Sequence, residues 1–76
     1  MKELLEFIAR SLVDCPDDVR VEMEESGSTI TLELYVNESD MGKVIGKQGR
    51  IAKSIRAVMK AAASRENKKA IVEIMQ

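Results

Sequence analysis

Seven residues in one short stretch have the types and spacing to do chemistry: Lys43, Gly46, Lys47, Gln48, Gly49, Arg50 and Lys53. Gly46-Lys47-Gln48-Gly49 is a tight G-x-x-G turn. Glycine at both ends admits φ > 0 and strips side chains from the turn, so another backbone can approach closely. An amphipathic helix starts directly after the turn, and a helix N-terminus carries partial positive charge and free N–H groups. Lys43, Lys47, Arg50 and Lys53 surround the turn, and no acid lies between Met41 and Arg65. A bare turn opening a helix and ringed by cations is a place for phosphates.

The rest of the chain narrows that chemistry. There is no histidine, and the single cysteine, Cys15, excludes an internal disulfide and points to a reducing, cytoplasmic compartment. The glycines are not a nucleotide-binding P-loop, because Met41 and Gln48 stand where glycine and Ser or Thr are required. Nor are they a dinucleotide fingerprint, since Val44 stands where that pattern needs a glycine. No enzyme activity, cofactor or metal is expected. The net charge of −1 conceals an asymmetry. Residues 1–40 hold eleven acids and three cations, whereas residues 41–76 hold nine cations and two acids. Such a split places a polyanion site in the second half. With 76 residues the chain reads as one small domain, 1–76. No run of 18 apolar residues is present, so no membrane span is expected, and acids at Glu3 and Glu6 argue against a signal peptide.

The elements that position the turn follow from periodicity. Leu4, Leu5, Ile8 and Leu12 form a helical stripe over residues 2–14, with Pro16 as the stop. Phe7 falls off that stripe and is expected at the rim of the core. Residues 18–25 and 29–36 alternate, with Val19, Val21 and Met23, then Ile30, Leu32, Leu34 and Val36, facing inward. Ser26-Gly27-Ser28 between them makes an antiparallel hairpin. Asn37 caps a short helix ending near Ile45, and a second helix runs from Arg50 to Ser64. Asn67 suits a left-handed cap, and residues 70–75 read as a third strand with Ala70, Val72 and Ile74 inward. The order is α-β-β-α-α-β. The long crossover predicts sheet order 1-2-3, strands two and three parallel, and three helices on one face of a mixed sheet.

Val44-Ile45-Gly46-x-x-Gly49 followed by Ile51 resembles the signature of KH domains, and the element order resembles their type II, α+β arrangement. KH domains clamp about four nucleotides of single-stranded RNA over the G-x-x-G loop. The stretch Met41 to Lys53, with an N-terminal helix ending at a proline, is most similar to KhpA, a family of small bacterial proteins made of a lone KH domain. The resemblance implies backbone contacts from Gly46, Lys47, Gln48 and Gly49, and added charge from Lys43, Arg50 and Lys53. It implies a groove floor from Ile45, Ile51 or Ile55, and an opposing wall at residues 65–69 with Arg65, Lys68 and Lys69. It also implies an RNA chaperone or post-transcriptional regulator linked to cell elongation and division. The implied partners are a second copy, as a homodimer, or a larger KH protein of the KhpB kind. Single-stranded DNA binding, or a pure protein-interaction role, are the competing readings. For association the residues offer an apolar edge patch of Ile71, Met75 and Tyr35, with Phe7 as a further candidate.

Overall fold

A computed structural model describes residues 1–75. The elements are α1 (Lys2–Leu12), β1 (Arg20–Ser26), β2 (Thr29–Tyr35), α2 (Met41–Ile45), α3 (Arg50–Ser64) and β3 (Lys69–Met75). The sheet order is β1-β2-β3. β1 and β2 pair antiparallel, and β2 and β3 pair parallel with Tyr35 opposite Met75. This is the α+β, type II KH arrangement expected from the sequence.

One core fills the space between the sheet and the helices. Leu5 and Ala9 of α1 meet Val21, Ile30, Leu32, Leu34 and Val72 of the sheet, with Val44, Ile55 and Met59 closing it. The alternation of β2 is the cause: Ile30, Leu32 and Leu34 are buried while Thr31, Glu33 and Tyr35 are only partly covered. β3 keeps the phase read from its residues, with Val72 buried and Ile71 and Glu73 exposed. Asn67 takes the left-handed conformation, φ 58°, that turns the chain out of α3. Among the described residues no helix is long and apolar enough to cross a membrane.

Three expectations need correction. α1 stops at Leu12 rather than residue 14, because Val13 is extended at φ −98°, ψ 161° and Pro16 opens a separate three-residue turn. Met23 faces the core side opposite Leu32 yet is 45% exposed. The helical layer covers Val19 and Val21 but not the far end of this edge strand. Phe7 is not a rim residue; it is 69% exposed on α1.

The open sheet face is acidic. Glu22, Glu33 and Glu73 share one register across three strands. Like charges in facing positions repel. Arg20, 3.2 Å from Glu22, and the Tyr35 hydroxyl, 3.3 Å from Glu33, offset part of this.

Candidate nucleic-acid interface

The turn between α2 and α3 has an unusual backbone. Gly46 has φ 75° and ψ 175°, Gln48 φ 57° and ψ 24°, and Gly49 φ 73° and ψ 17°. Three of four residues therefore lie at positive φ, which holds Lys47 and Gln48 out into solvent. A Cβ on Gly46 would sit 2.6 Å from Cγ1 of Ile51, so the Ile51 side chain lies directly against the turn. α3 then begins with no side-chain cap and no acid in its first turn. The N–H of Arg50 donates to the Lys47 carbonyl oxygen and that of Gly49 to Gly46, so what the helix start offers an anion is chiefly the positive end of its dipole.

The cations divide into two groups. None of Lys47, Arg50, Lys53, Arg56 or Lys60 has a carboxylate within 4.0 Å among the described residues. Arg50 makes only a long contact to the Gln48 amide oxygen, 3.4 Å. Lys43 is committed elsewhere: its Nζ lies 3.2 Å from Asp14 and 3.7 Å from Asp40. The hydrogen bond to Asp14 is the main reason its ammonium is held above the usual lysine range. Lys68 is likewise bonded to Glu25, which raises its pKa. Lys68 and Lys69 also lie beyond the far end of α3, whose 15 residues span about 22 Å.

Asp40 is the hinge of this arrangement and was not singled out from the sequence. It is 1% exposed and accepts hydrogen bonds from the N–H groups of Asp14 and Cys15, at 3.2 and 3.0 Å. Those are amides that a longer α1 would have used. The carboxylate thus ends α1, ties the following loop to the start of α2, and draws Lys43 inward. Burial works against its charge, but the two N–H bonds and Lys43 outweigh burial and hold its pKa below the ordinary value. The same cluster acts oppositely on Cys15, whose thiol is pushed up by burial and then by Asp40, consistent with an inert cysteine. A depressed pKa gives stability that is complete above the unfolded value, about 3.9, and is lost as pH falls through the lower folded value. Asp40→Asn is therefore expected to lower the melting temperature at pH 7 and to flatten the acid limb of the stability profile below about pH 4. Thermal unfolding from pH 7 to pH 2 checks this. A variant that keeps the parent's acid limb would mean that other carboxylates set it.

The two flanks of α3 differ. Toward α1, Ile8 and Leu12 face Arg50, Ile51, Ser54, Ile55 and Val58 across an apolar groove of about 360 Å³. Ile51 therefore belongs to the α1 side, where it also covers Gly46, while Ile45 packs on the core. Toward β3, Arg56 Nε donates to the Val72 carbonyl oxygen at 3.2 Å. Lys53, Arg56 and Lys60 recur at helical spacing on that side. That spacing was visible in the sequence, but only the position of β3 shows that Arg56 reaches the sheet edge.

Residues 2–74 match the protein family described as KhpA/KhpB, KH domain. The chain belongs to this family. Proteins named RNA-binding protein KhpA are similar over nearly the whole length. That of Clostridium acetobutylicum is 64% identical over 75 residues, covering 99% of this chain and 100% of the relative. That of Borreliella burgdorferi is 45% identical over 73 residues, covering 96% and 89%. Among solved structures, Aquifex aeolicus Era bound to GDP and aluminium fluoride superposes with a TM-score of 0.68 at 21% identity. Era in complex with MgGDPNP and nucleotides 1506–1542 of 16S ribosomal RNA gives 0.62 at 22%. In both, the match covers 96% of this chain and 28% of the Era chain. At that identity the likeness carries the KH fold alone, on a segment of a longer protein.

Proposed function

We propose that this chain binds single-stranded RNA, without catalysis, by seating the sugar-phosphate backbone on the Gly46–Gly49 turn and the start of α3. One observation carries the reading: a glycine turn at positive φ opens onto a helix start with no side-chain cap and no acid, amid Lys47, Arg50 and Lys53, which no carboxylate of the described residues neutralises. The name of the relatives, RNA-binding protein KhpA, supports RNA as the polyanion. Gly46, Lys47, Gln48 and Gly49 take the backbone, and Arg50 and Lys53 add charge. Lys43 acts mainly through the fold, and Lys68 and Lys69 serve only a strand long enough to run the length of α3. The two aromatic residues, Phe7 and Tyr35, lie outside the turn, so recognition rests on apolar contact and hydrogen bonds rather than stacking on rings. A single such domain gives weak, loosely selective binding, which fits an RNA chaperone or post-transcriptional regulator in the cytoplasm.

Salt dependence tests this reading. With three or four phosphates engaged, log K against log salt should fall with a slope of roughly −2 to −3, at about −0.7 per contact for single strands. Lys53→Ala is expected to make the slope shallower, whereas Lys43→Ala leaves it unchanged. Duplex RNA of the same sequence should bind worse, because unpaired base edges are the target. A flat salt response would leave the basic half as mere solvated surface. Tighter binding of single-stranded DNA than of RNA would favour the DNA reading.

A second reading, pairing with another KH domain, is favoured by the α1–α3 groove. Leu12 and Val58 line it and are exposed, close to the binding turn. The sheet-edge patch is the weaker surface. Ile71 is 41% exposed, but the Arg20 guanidinium stacks on the Tyr35 ring at 3.9 Å, and Phe7 belongs to the opposite, helical layer. A second copy, or a larger KH protein of the KhpB kind, would raise affinity by avidity. Leu12→Glu with Val58→Glu is expected to abolish self-association in light scattering, and Ile71→Glu with Tyr35→Glu to preserve it. The reverse pattern would return the interface to the sheet.

A further inference from the structure

Arg56 is held in a way that charge alone does not require. Its Nε is bonded to the Val72 carbonyl of β3, the outer strand, yet the residue stays exposed. Arg10 and Arg20 each have a carboxylate partner, and Arg56 has none within 4.0 Å among the described residues. A guanidinium has five N–H donors, so fixing Nε leaves four, on Nη1 and Nη2, in a set direction. The group lies six residues beyond Arg50, about 9 Å along α3 from the turn, on the flank toward β3. A strand whose phosphates rest on the turn and the α3 N-terminus turns its bases away from them. On the reading above, Arg56 is near enough to the turn for a base of that strand to reach it in the space between α3 and the β3 edge.

We propose that Arg56 is a specificity-determining residue that reads guanine in the bound strand. This rests on the RNA reading above. The Nη fork matches the paired O6 and N7 acceptors of guanine, an edge that an unpaired base leaves free. A phosphate offers paired acceptors too. Flexible lysines at 47, 53 and 60 already supply mobile point charges for phosphate, whereas a tethered arginine is a directional donor. The tether also explains why lysine could not substitute: it has no Nε–H to spend on Val72 while keeping a fork.

The test uses the full chain and three U-rich single strands, carrying guanosine, 7-deazaguanosine or uridine at one central position, read by fluorescence anisotropy. The parent is expected to bind the guanosine strand about five-fold or more tightly than either of the others. Arg56→Lys and Arg56→Gln are expected to bind all three alike, and thermal unfolding checks that both remain folded. The proposal is overturned if the parent shows no guanosine preference or if Arg56→Lys keeps it. It is overturned equally if the variants lose affinity for all three strands by one factor with a shallower salt slope, which marks a phosphate contact. A lower melting temperature with the preference intact would reduce Arg56 to a structural tether. Failure of the parent to bind any strand would sink the RNA reading as well, so the two failures are distinguishable.

Discussion

Replacing Lys47 and Gln48 by aspartate is expected to abolish RNA binding and to leave the domain folded. Both side chains are exposed and touch no part of the core, so stability should move by no more than about 0.5 kcal/mol. The backbone supports the choice of residue. Gln48 sits at φ 57°, ψ 24°, a left-handed conformation in which aspartate is among the better tolerated side chains. The electrostatic change is large. One cation and one amide become two anions, a swing of three unit charges facing the phosphates. At 4 Å in water each is worth about 1 kcal/mol, so the loss is on the order of a hundred-fold. Anisotropy titration beside thermal unfolding measures both quantities. A folded variant that binds as well as the parent would remove the turn from the mechanism.

The turn was legible in the sequence because its determinants are local. Gly46 and Gly49, the apolar spacing of Val44, Ile45 and Ile51, and the lack of acids from 41 to 65 all lie within a few turns of helix. Strand phase was legible for the same reason: Val72 and Ile71 take the faces that alternation assigns. What escaped depends on pairs far apart in the chain. Lys43 looks like a free cation beside the turn until Asp14, 29 residues earlier, is seen 3.2 Å away. Lys68 is engaged by Glu25 through the pairing of β1, β2 and β3. Nothing in its local sequence marks Asp40, yet it is buried, because α1 ends early and offers it two amides. Phe7 escaped differently. Its angle on the α1 wheel was right, but the width of the covering layer decides whether such a residue is rim or surface, and helical spacing does not encode that width.

Gly46→Ala is expected to be far more damaging than any substitution at Gly49, although both glycines belong to the same motif. The reason is conformational. Gly46, at φ 75° and ψ 175°, occupies a region open essentially to glycine alone, and holding another residue there costs of order 1–3 kcal/mol. The new Cβ would also meet Ile51 Cγ1 at 2.6 Å and Ile51 Cβ at 3.0 Å. The second contact lies at the root of that side chain, so rotation of its tip cannot relieve it. Overpacking of this kind adds about 1–3 kcal/mol. Gly49 has φ 73° and ψ 17°, the ordinary left-handed region, and a Cβ there meets nothing within 4 Å. Its replacement by alanine should cost about 1–2 kcal/mol, and by asparagine less. A domain of this length has roughly 4–11 kcal/mol of stability in total, so the Gly46 change removes a large part of it. A fall in melting temperature of about 15 °C or more is expected for Gly46→Ala, at about 4–8 °C per kcal/mol, and well under half of that for Gly49→Asn. Because Ile51 also lines the α1–α3 groove, the same clash should displace the start of α3 and weaken RNA binding even where the variant still folds. Equal melting temperatures for the two variants would mean that Gly46 does not hold this conformation in solution, and the account of the turn as a rigid seat for phosphate would fall with it.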